Sequence, residues 1–309
     1  MRKIIYCTST LMKKRSLLAL AICLIVLLLG NLTISRAALA DAGGWEWRFN
    51  LVNPEEKKSF LMPVALYIAT DSKRFYVVES GRNSLHSFAF DGTFLNSFGP
   101  EGVLKEPFDM VRKADSGELF VVEKGRNTLT KINLKDKKVS PETLHYKGSV
   151  VYPDRIAMHD DKIYVLDKAT GDIVSYSYDL TPIASYESKG QGFVDFVIKG
   201  SNLWAFDSRM RKVSRFSLEG KLEQQIELKG EELSFPVAIA IGPAGFIYIL
   251  DKHKGSIAVF DNSGNYKYSF FEKGHSNYKL YFPEGIIFDS LGRLCVVDAG
   301  NGRIGIFSR

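Results

Sequence analysis

The feature that most constrains this chain is a short strand-like run ending in an acid that recurs six times: Tyr76-Val77-Val78-Glu79, Phe120-Val121-Val122-Glu123, Tyr164-Val165-Leu166-Asp167, Trp204-Ala205-Phe206-Asp207, Tyr248-Ile249-Leu250-Asp251 and Cys295-Val296-Val297-Asp298. Ahead of each run stands an opening residue, Pro63, Pro107, Pro153, Phe193, Pro236 and Pro283, with a mean step of 44 residues. Turn residues punctuate every copy, among them Asp71-Ser72, Asp91-Gly92, Glu219-Gly220 and Asn262-Ser263-Gly264. Four short strands per step of this size make a propeller blade. The expectation is an all-β, six-bladed β-propeller with four-stranded blades.

Two irregularities at the ends support a closed ring. The sixth copy stops at Arg309 after three strands, while Trp45-Glu46-Trp47-Arg48-Phe49-Asn50-Leu51, ahead of the first copy, alternates large apolar and polar residues as a half-buried strand does. Placing that N-terminal strand as the outer strand of the last blade closes the array and leaves no exposed edge. Copy two fits least well after its third strand, where Lys135 to Lys138 lengthen the connection.

Residues 283–307 read Pro-x-Gly-Ile-x-x-Asp, then Val-Val-Asp-x-Gly-Asn-x-Arg-Ile-x-x-Phe, and in this pattern the chain resembles the NHL repeat. The resemblance implies a six-bladed propeller over residues 45–309. Copies three and four depart from it, with Asp172-Ile173 and Lys212-Val213 where the last copy has Arg303-Ile304, and with Phe193 for the proline.

Charge separates the chain into two parts. The formal net charge is +6, yet Arg2, Lys3, Lys13, Lys14, Arg15 and Arg36 fall in residues 1–40 with no acid, so residues 41–309 hold 35 bases and 35 acids. The first segment has a basic start, an apolar run Leu17–Leu29 and Ala38-Leu39-Ala40 before Asp41, the order of a secretory signal peptide with either Met1 or Met12 as its start. The expected organisation is a signal peptide at 1–40 and a propeller at 41–309, exported to the periplasm or the extracellular space. No membrane association is expected after cleavage, and a monomer is expected. The neutral propeller argues against nucleic acid, and Lys135–Lys138 reads as a solvated loop. Cys295 is the sole cysteine beyond residue 40, which leaves no internal disulfide.

The recurring acids invite a catalytic reading, but their presence in all six copies favours structure. Each can accept N–H groups of the following turn or pair with a nearby arginine, as for Glu79 with Arg82 and Asp298 with Arg303. The five histidines, His86, His145, His159, His253 and His275, show no helical zinc spacing, so no cofactor is predicted, although a divalent cation in the central channel stays open. Amidating lyases that resemble this fold use a three-histidine site, and lactonase-type relatives hold a cation with acids and amides. For the second pattern Asp109, Asp195, Asp207 and Asn301 are the available residues.

The third residue of each copy points to a binding site. Ala65, Ala238 and Gly285 are small, whereas Asp109, Arg155 and Asp195 place charges at the channel rim on three consecutive blades. Loops after the second strands add Arg209 and His253. The expectation is a ligand-binding rim of Asp109, Arg155, Asp195, Arg209 and His253, on which the aspartates orient the guanidinium toward an anionic or carbonyl group of a small ligand or an extracytoplasmic protein. The same three charges read equally as an internal Asp-Arg-Asp bridge that holds three blades together, and the two readings are not exclusive. The function expected is a binding scaffold, and the alternative is a metal-dependent lyase or lactonase-like hydrolase at the channel mouth. Export itself is checked by N-terminal sequencing: the exported protein begins at Asp41, and a start at Met1 or Met12 contradicts the signal assignment.

Overall fold

A computed structural model describes residues 44–53, 59–99, 102–136 and 138–309. The signal peptide expected at 1–40 lies outside the described residues. From Trp45 to Arg309 the chain forms one compact unit. Six four-stranded antiparallel sheets make it up, each running in order from an inner to an outer strand. Blade one comprises Pro63–Ala69, Arg74–Glu79, Ser84–Ala89 and Phe94–Phe98. Blades two to five open with the inner strands Pro107–Arg112, Pro153–His159, Asp195–Lys199 and Pro236–Ile241, and blade six with Gly285–Phe288. Each inner strand touches those of the blades on either side, blade six against blade one included, so the ring is closed.

Closure is made by the N-terminal strand. Glu46–Leu51 pairs antiparallel with the final strand Arg303–Ser308, Leu51 opposite Ile304 and Glu46 opposite Ser308, with a bulge between Trp47 and Phe49. Leu51 is buried, and so is Trp45, whose ring packs at 5.8 Å from Phe288 and 6.4 Å from Phe270. The apolar core is divided among the wedges between adjacent blades, for instance Phe206, Val213, Ile239 and Ile249 between blades four and five. Adjacent blades are thus held mainly by side-chain packing, and the hydrogen-bonded join in blade six closes the ring.

Two short two-stranded elements embellish the ring: Glu272–Lys273 pairs in parallel with Lys279–Leu280 ahead of blade six, and the other belongs to blade two. After its outer strand Lys138–Glu142 the chain forms a small hairpin, Leu144–Tyr146 with Ser149–Val151, before entering blade three.

The recurring acids form a repeated clip. Each accepts a backbone N–H from the segment leading into its own blade, 15–18 residues earlier: Leu61 to Glu79, Lys105 to Glu123, Tyr152 to Asp167, Gln191 to Asp207, Ser234 to Asp251 and Tyr281 to Asp298, at 2.5–3.0 Å. Further donors differ between blades, and hydroxyl, imidazole or amide side chains add to them at Glu79, Glu123, Asp167 and Asp298. Blades three, four and five use amides of the following turn, those of Ala169, Met210 and Lys254. Blades one, two and six use Arg82, Arg126 and Arg303. Burial works to raise the Glu79 carboxyl, but hydrogen bonds from His86, Leu61 and Arg82 outweigh it and bring it down to about 2.

Deleting residues 41–52 tests closure. The loss of Trp45 and Leu51 burial alone removes about 3–6 kcal/mol, which lowers Tm by about 10 °C or more, and the bared edge of Arg303–Ser308 promotes association. A truncated protein that melts with the parent and stays monomeric contradicts this role for the N-terminal strand.

Candidate functional site

The clips fix one end of the ring, where inner strands begin and second strands end. The segment before each inner strand gives its N–H to the clip acid. In four blades a carbonyl of the same segment takes the N–H just after that acid: Ser80 to Met62, Lys124 to Glu106, Lys168 to Tyr152 and Lys252 to Phe235. At Met62, Glu106 and Phe282, each followed by a strand-opening proline, the backbone is left-handed, with φ of 55°, 48° and 45°. Bulky residues rarely adopt that conformation, and here it is over-determined by hydrogen bonds on both sides.

Inside this rim lie Asp109, Arg155 and Asp195, on the inner strands of blades two, three and four. All three are part-buried. The aspartates do not grip the guanidinium directly. Asp109 accepts the N–H of Met110 at 2.9 Å and that of Ile156, on the next blade, at 3.0 Å. Asp195 likewise accepts the N–H of Ile239 on blade five at 2.9 Å. Arg155 instead spans the channel to the Glu284 carbonyl of blade six, 3.3 Å away, and its guanidinium lies 4.6 Å from the centre of the Phe108 ring. Its Nε is buried without a hydrogen-bond partner.

Electrostatics nevertheless couples the three groups. Burial pushes the Asp109 and Asp195 carboxyls up to about 6, against the opposing pull of Arg155 and of their backbone donors. Burial also works against the charge of Arg155, but Asp195, Asp109, Asp154 and Glu284 outweigh it and hold the guanidinium more firmly protonated than usual. Two further pairs flank the centre: Lys124 with Asp154 at 2.8 Å, and Lys252 with Glu284.

The other expected rim residues sit farther out. His253 is exposed, stacked on Phe235 with ring centres 4.6 Å apart and facing the edge of Phe282 at 6.3 Å. Arg209 is exposed and its backbone N–H caps Asp207. Among the described residues, neither makes a side-chain hydrogen bond or ion pair to Asp109, Arg155 or Asp195. Glu284, Phe108 and Lys252, which the sequence pattern did not single out, lie closer to the centre; Phe108 and Glu284 directly follow the opening prolines Pro107 and Pro283, and Lys252 directly follows the acid Asp251.

A cation site of the lactonase type does not fit these residues. Asp207 is consumed by the amides of Gln191, Arg209 and Met210, and Asn301 by Asp298, Gly274 and His275. Asp109 and Asp195 face a guanidinium, which supplies the positive charge a metal would bring. Among the described residues no group of three His, Cys, Asp or Glu side chains is placed to hold a metal ion.

Two other polar features lie apart from the mouth. Ser97, His86 and Glu79 are hydrogen-bonded in series at 2.8 and 2.7 Å, the order of a nucleophile, base and acid. His86 and Glu79 are buried within blade one, however, and in blade two Thr130 takes the position of His86, seven residues after the clip acid. That series belongs to the clip. A depression of about 560 Å³ lined by Lys131, His145 and Tyr178 lies between the outer parts of blades two and three, away from the convergent charges.

Comparison with known proteins agrees with the ring. Residues 280–307 match the NHL repeat, and the protein is a six-bladed β-propeller carrying that repeat in its last blade. No curated protein matches the chain by sequence. Among solved structures, a streptogramin B lyase is similar with TM-score 0.61 at 16% identity, over 85% of this chain and 97% of the other. A catalytically inactive virginiamycin B lyase from Staphylococcus aureus, solved with quinupristin, gives 0.59 at 17% identity over 81% of each chain. A gluconolactonase from Xanthomonas campestris gives 0.64 at 13% identity, over 88% of this chain and 92% of the other. At such identities the likeness is one of fold.

The raised carboxyls make a pH prediction. With folded values near 6 against an ordinary 3.8, Asp109 and Asp195 bind protons more readily in the folded than in the unfolded chain, so their contribution to stability falls as pH rises from about 4 to about 6. Relative to an Asp109→Asn/Asp195→Asn variant, the parent should lose about 1–3 kcal/mol per group across that window. Denaturant melts at several pH values read the difference directly, and a pH-independent difference contradicts the assignment.

Proposed function

We propose that this protein is an exported, monomeric binding scaffold whose channel mouth, centred on Arg155, receives an anionic or carbonyl group of a small ligand or an extracytoplasmic protein. The observation that carries the reading is the state of the guanidinium. It has five N–H donors, yet a single hydrogen bond to protein, to Glu284, and a buried Nε with no partner. Leaving a buried donor unmet costs about 1–3 kcal/mol, a cost that an incoming acceptor relieves. A neutral carbonyl fits beside the ionised Asp109 and Asp195 without repulsion. A carboxylate fits once either aspartate takes up a proton, which values near 6 put within reach of mildly acidic conditions.

The second reading, lyase or lactonase chemistry at the same mouth, is favoured by the structural likeness to streptogramin B lyase and to gluconolactonase. Against it stands the donor set, in which Arg155 takes the place a divalent cation needs. Stoichiometric, tightly held metal in the purified protein supports the enzyme reading.

The test of the scaffold reading uses Arg155→Ala and Asp195→Asn, each compared with the parent for Tm and for partner recovered from periplasm or culture medium. Recovery should fall at least about tenfold for Arg155→Ala, equivalent to one charge-assisted hydrogen bond of about 1.4 kcal/mol or more, with little change in Tm. A large drop in Tm with recovery unchanged contradicts the site and leaves the charges a purely structural bridge.

A further inference from the structure

Outside the central charges, the rim of blades three to five exposes an unusual set of side chains. Tyr152, Met210 and Phe235 are 41%, 43% and 49% exposed. They are not mobile ends: the clips described above hold Tyr152 and Phe235 through N–H and carbonyl, and the Met210 amide donates to Asp207. Single exposed apolar residues need no explanation, but three on consecutive blades of one rim, each held by the backbone, form a prepared surface.

Cations lie between them. Lys168 and Arg209 are exposed and Arg211 is half-buried, and among the described residues none of the three makes an ion pair. By contrast Lys124, Lys252 and Lys254, on the neighbouring parts of the rim, are each paired with an acid. The arc thus combines rigid apolar and aromatic side chains with cations free to meet a partner, the composition that marks interface centres.

We infer that this arc is a docking surface for an acidic peptide segment of a partner protein that carries aromatic or aliphatic side chains. The inference rests on the mouth as the binding face but not on Arg155 as its anchor. Charge complementarity selects the occupant: the free cations call for acidic side chains, and the three apolar side chains call for large hydrophobic ones. An arc spread over three blades is matched by an extended segment better than by a compact ligand. A polynucleotide is disfavoured because its unbroken run of phosphates would also meet Asp109, Asp154, Asp195 and Glu284 along the inner side of the arc, whereas a peptide sets its acids at the cations and its apolar side chains elsewhere.

The experiment pans a phage-displayed random heptapeptide library against the full-length exported protein. Enriched peptides are then synthesised and titrated against the parent, a Lys168→Glu/Arg209→Glu/Arg211→Glu variant, Phe235→Ala and Arg155→Ala. Enriched sequences should pair Asp or Glu with Trp, Phe or Leu. Their affinity should fall at least about tenfold on charge reversal, fall with Phe235→Ala, and weaken as salt is raised. No enrichment over the bare matrix, enrichment of basic or neutral peptides, equal binding by the charge-reversed protein, or tighter binding of a thymidine oligonucleotide than of the peptides would each overturn the inference. Because the substituted side chains are mostly exposed, Tm should stay with the parent; if charge reversal does destabilise, Met210→Ala and Phe235→Ala carry the test. Peptides that lose affinity on charge reversal and keep it in Arg155→Ala support the arc while removing Arg155 as anchor. Peptides lost in Arg155→Ala and untouched by charge reversal support the mouth and overturn the arc.

Discussion

A buried carboxylate at the end of every second strand is the interaction on which this propeller depends. Inter-blade packing is apolar and non-directional, so it cannot by itself fix how the chain enters each blade. The clip acid does so by taking the N–H of the entering segment, from Leu61 onto Glu79 through Tyr281 onto Asp298. A hydrogen bond to a charged group contributes about 1.5–3 kcal/mol, and an acid buried without one costs as much or more. Each clip acid therefore has several donors, with turn amides in blades three to five and Arg82, Arg126 and Arg303 in the others. The consequence for function is positional. Residues flanking the clips, such as Met62, Tyr152 and Phe235, are displayed on a face whose backbone is held on both sides.

How much of this was legible in the sequence follows from which partner in each contact is a side chain. The blade number and closure by Glu46–Leu51 were both readable, because each rests on apolar periodicity and turn residues. The acids were readable as structural, and so were their arginine and turn partners, which lie within five residues. Their main donor was not. It is a backbone N–H 15–18 residues upstream, and a backbone donor leaves no mark on residue identity.

The same blindness explains the channel. Asp109, Arg155 and Asp195 looked like an ion triad, since opposite charges at equivalent repeat positions suggest mutual pairing. The aspartates instead bond to Ile156 and Ile239, one blade further on, and Arg155 reaches a carbonyl 129 residues away on the opposite side of the ring. Nor was the exposed arc of Tyr152, Met210 and Phe235 visible beforehand, because the loops that display them belong to three different copies. The likeness to lyase and gluconolactonase propellers, at 13–17% identity, is one of fold, while at the centre of this ring the guanidinium of Arg155 lies among the carboxylates of Asp109 and Asp195.

Six carboxylates fix the mouth by holding the segments that enter the blades. Amide hydrogen exchange measured residue by residue in the native protein tests it most directly. The N–H groups of Leu61, Lys105, Tyr152, Gln191, Ser234 and Tyr281 lie outside the regular blade strands, yet the account predicts that they exchange as slowly as the second-strand amides to which the clips tie them. Exchange of these six at the rate of ordinary exposed loops would contradict it.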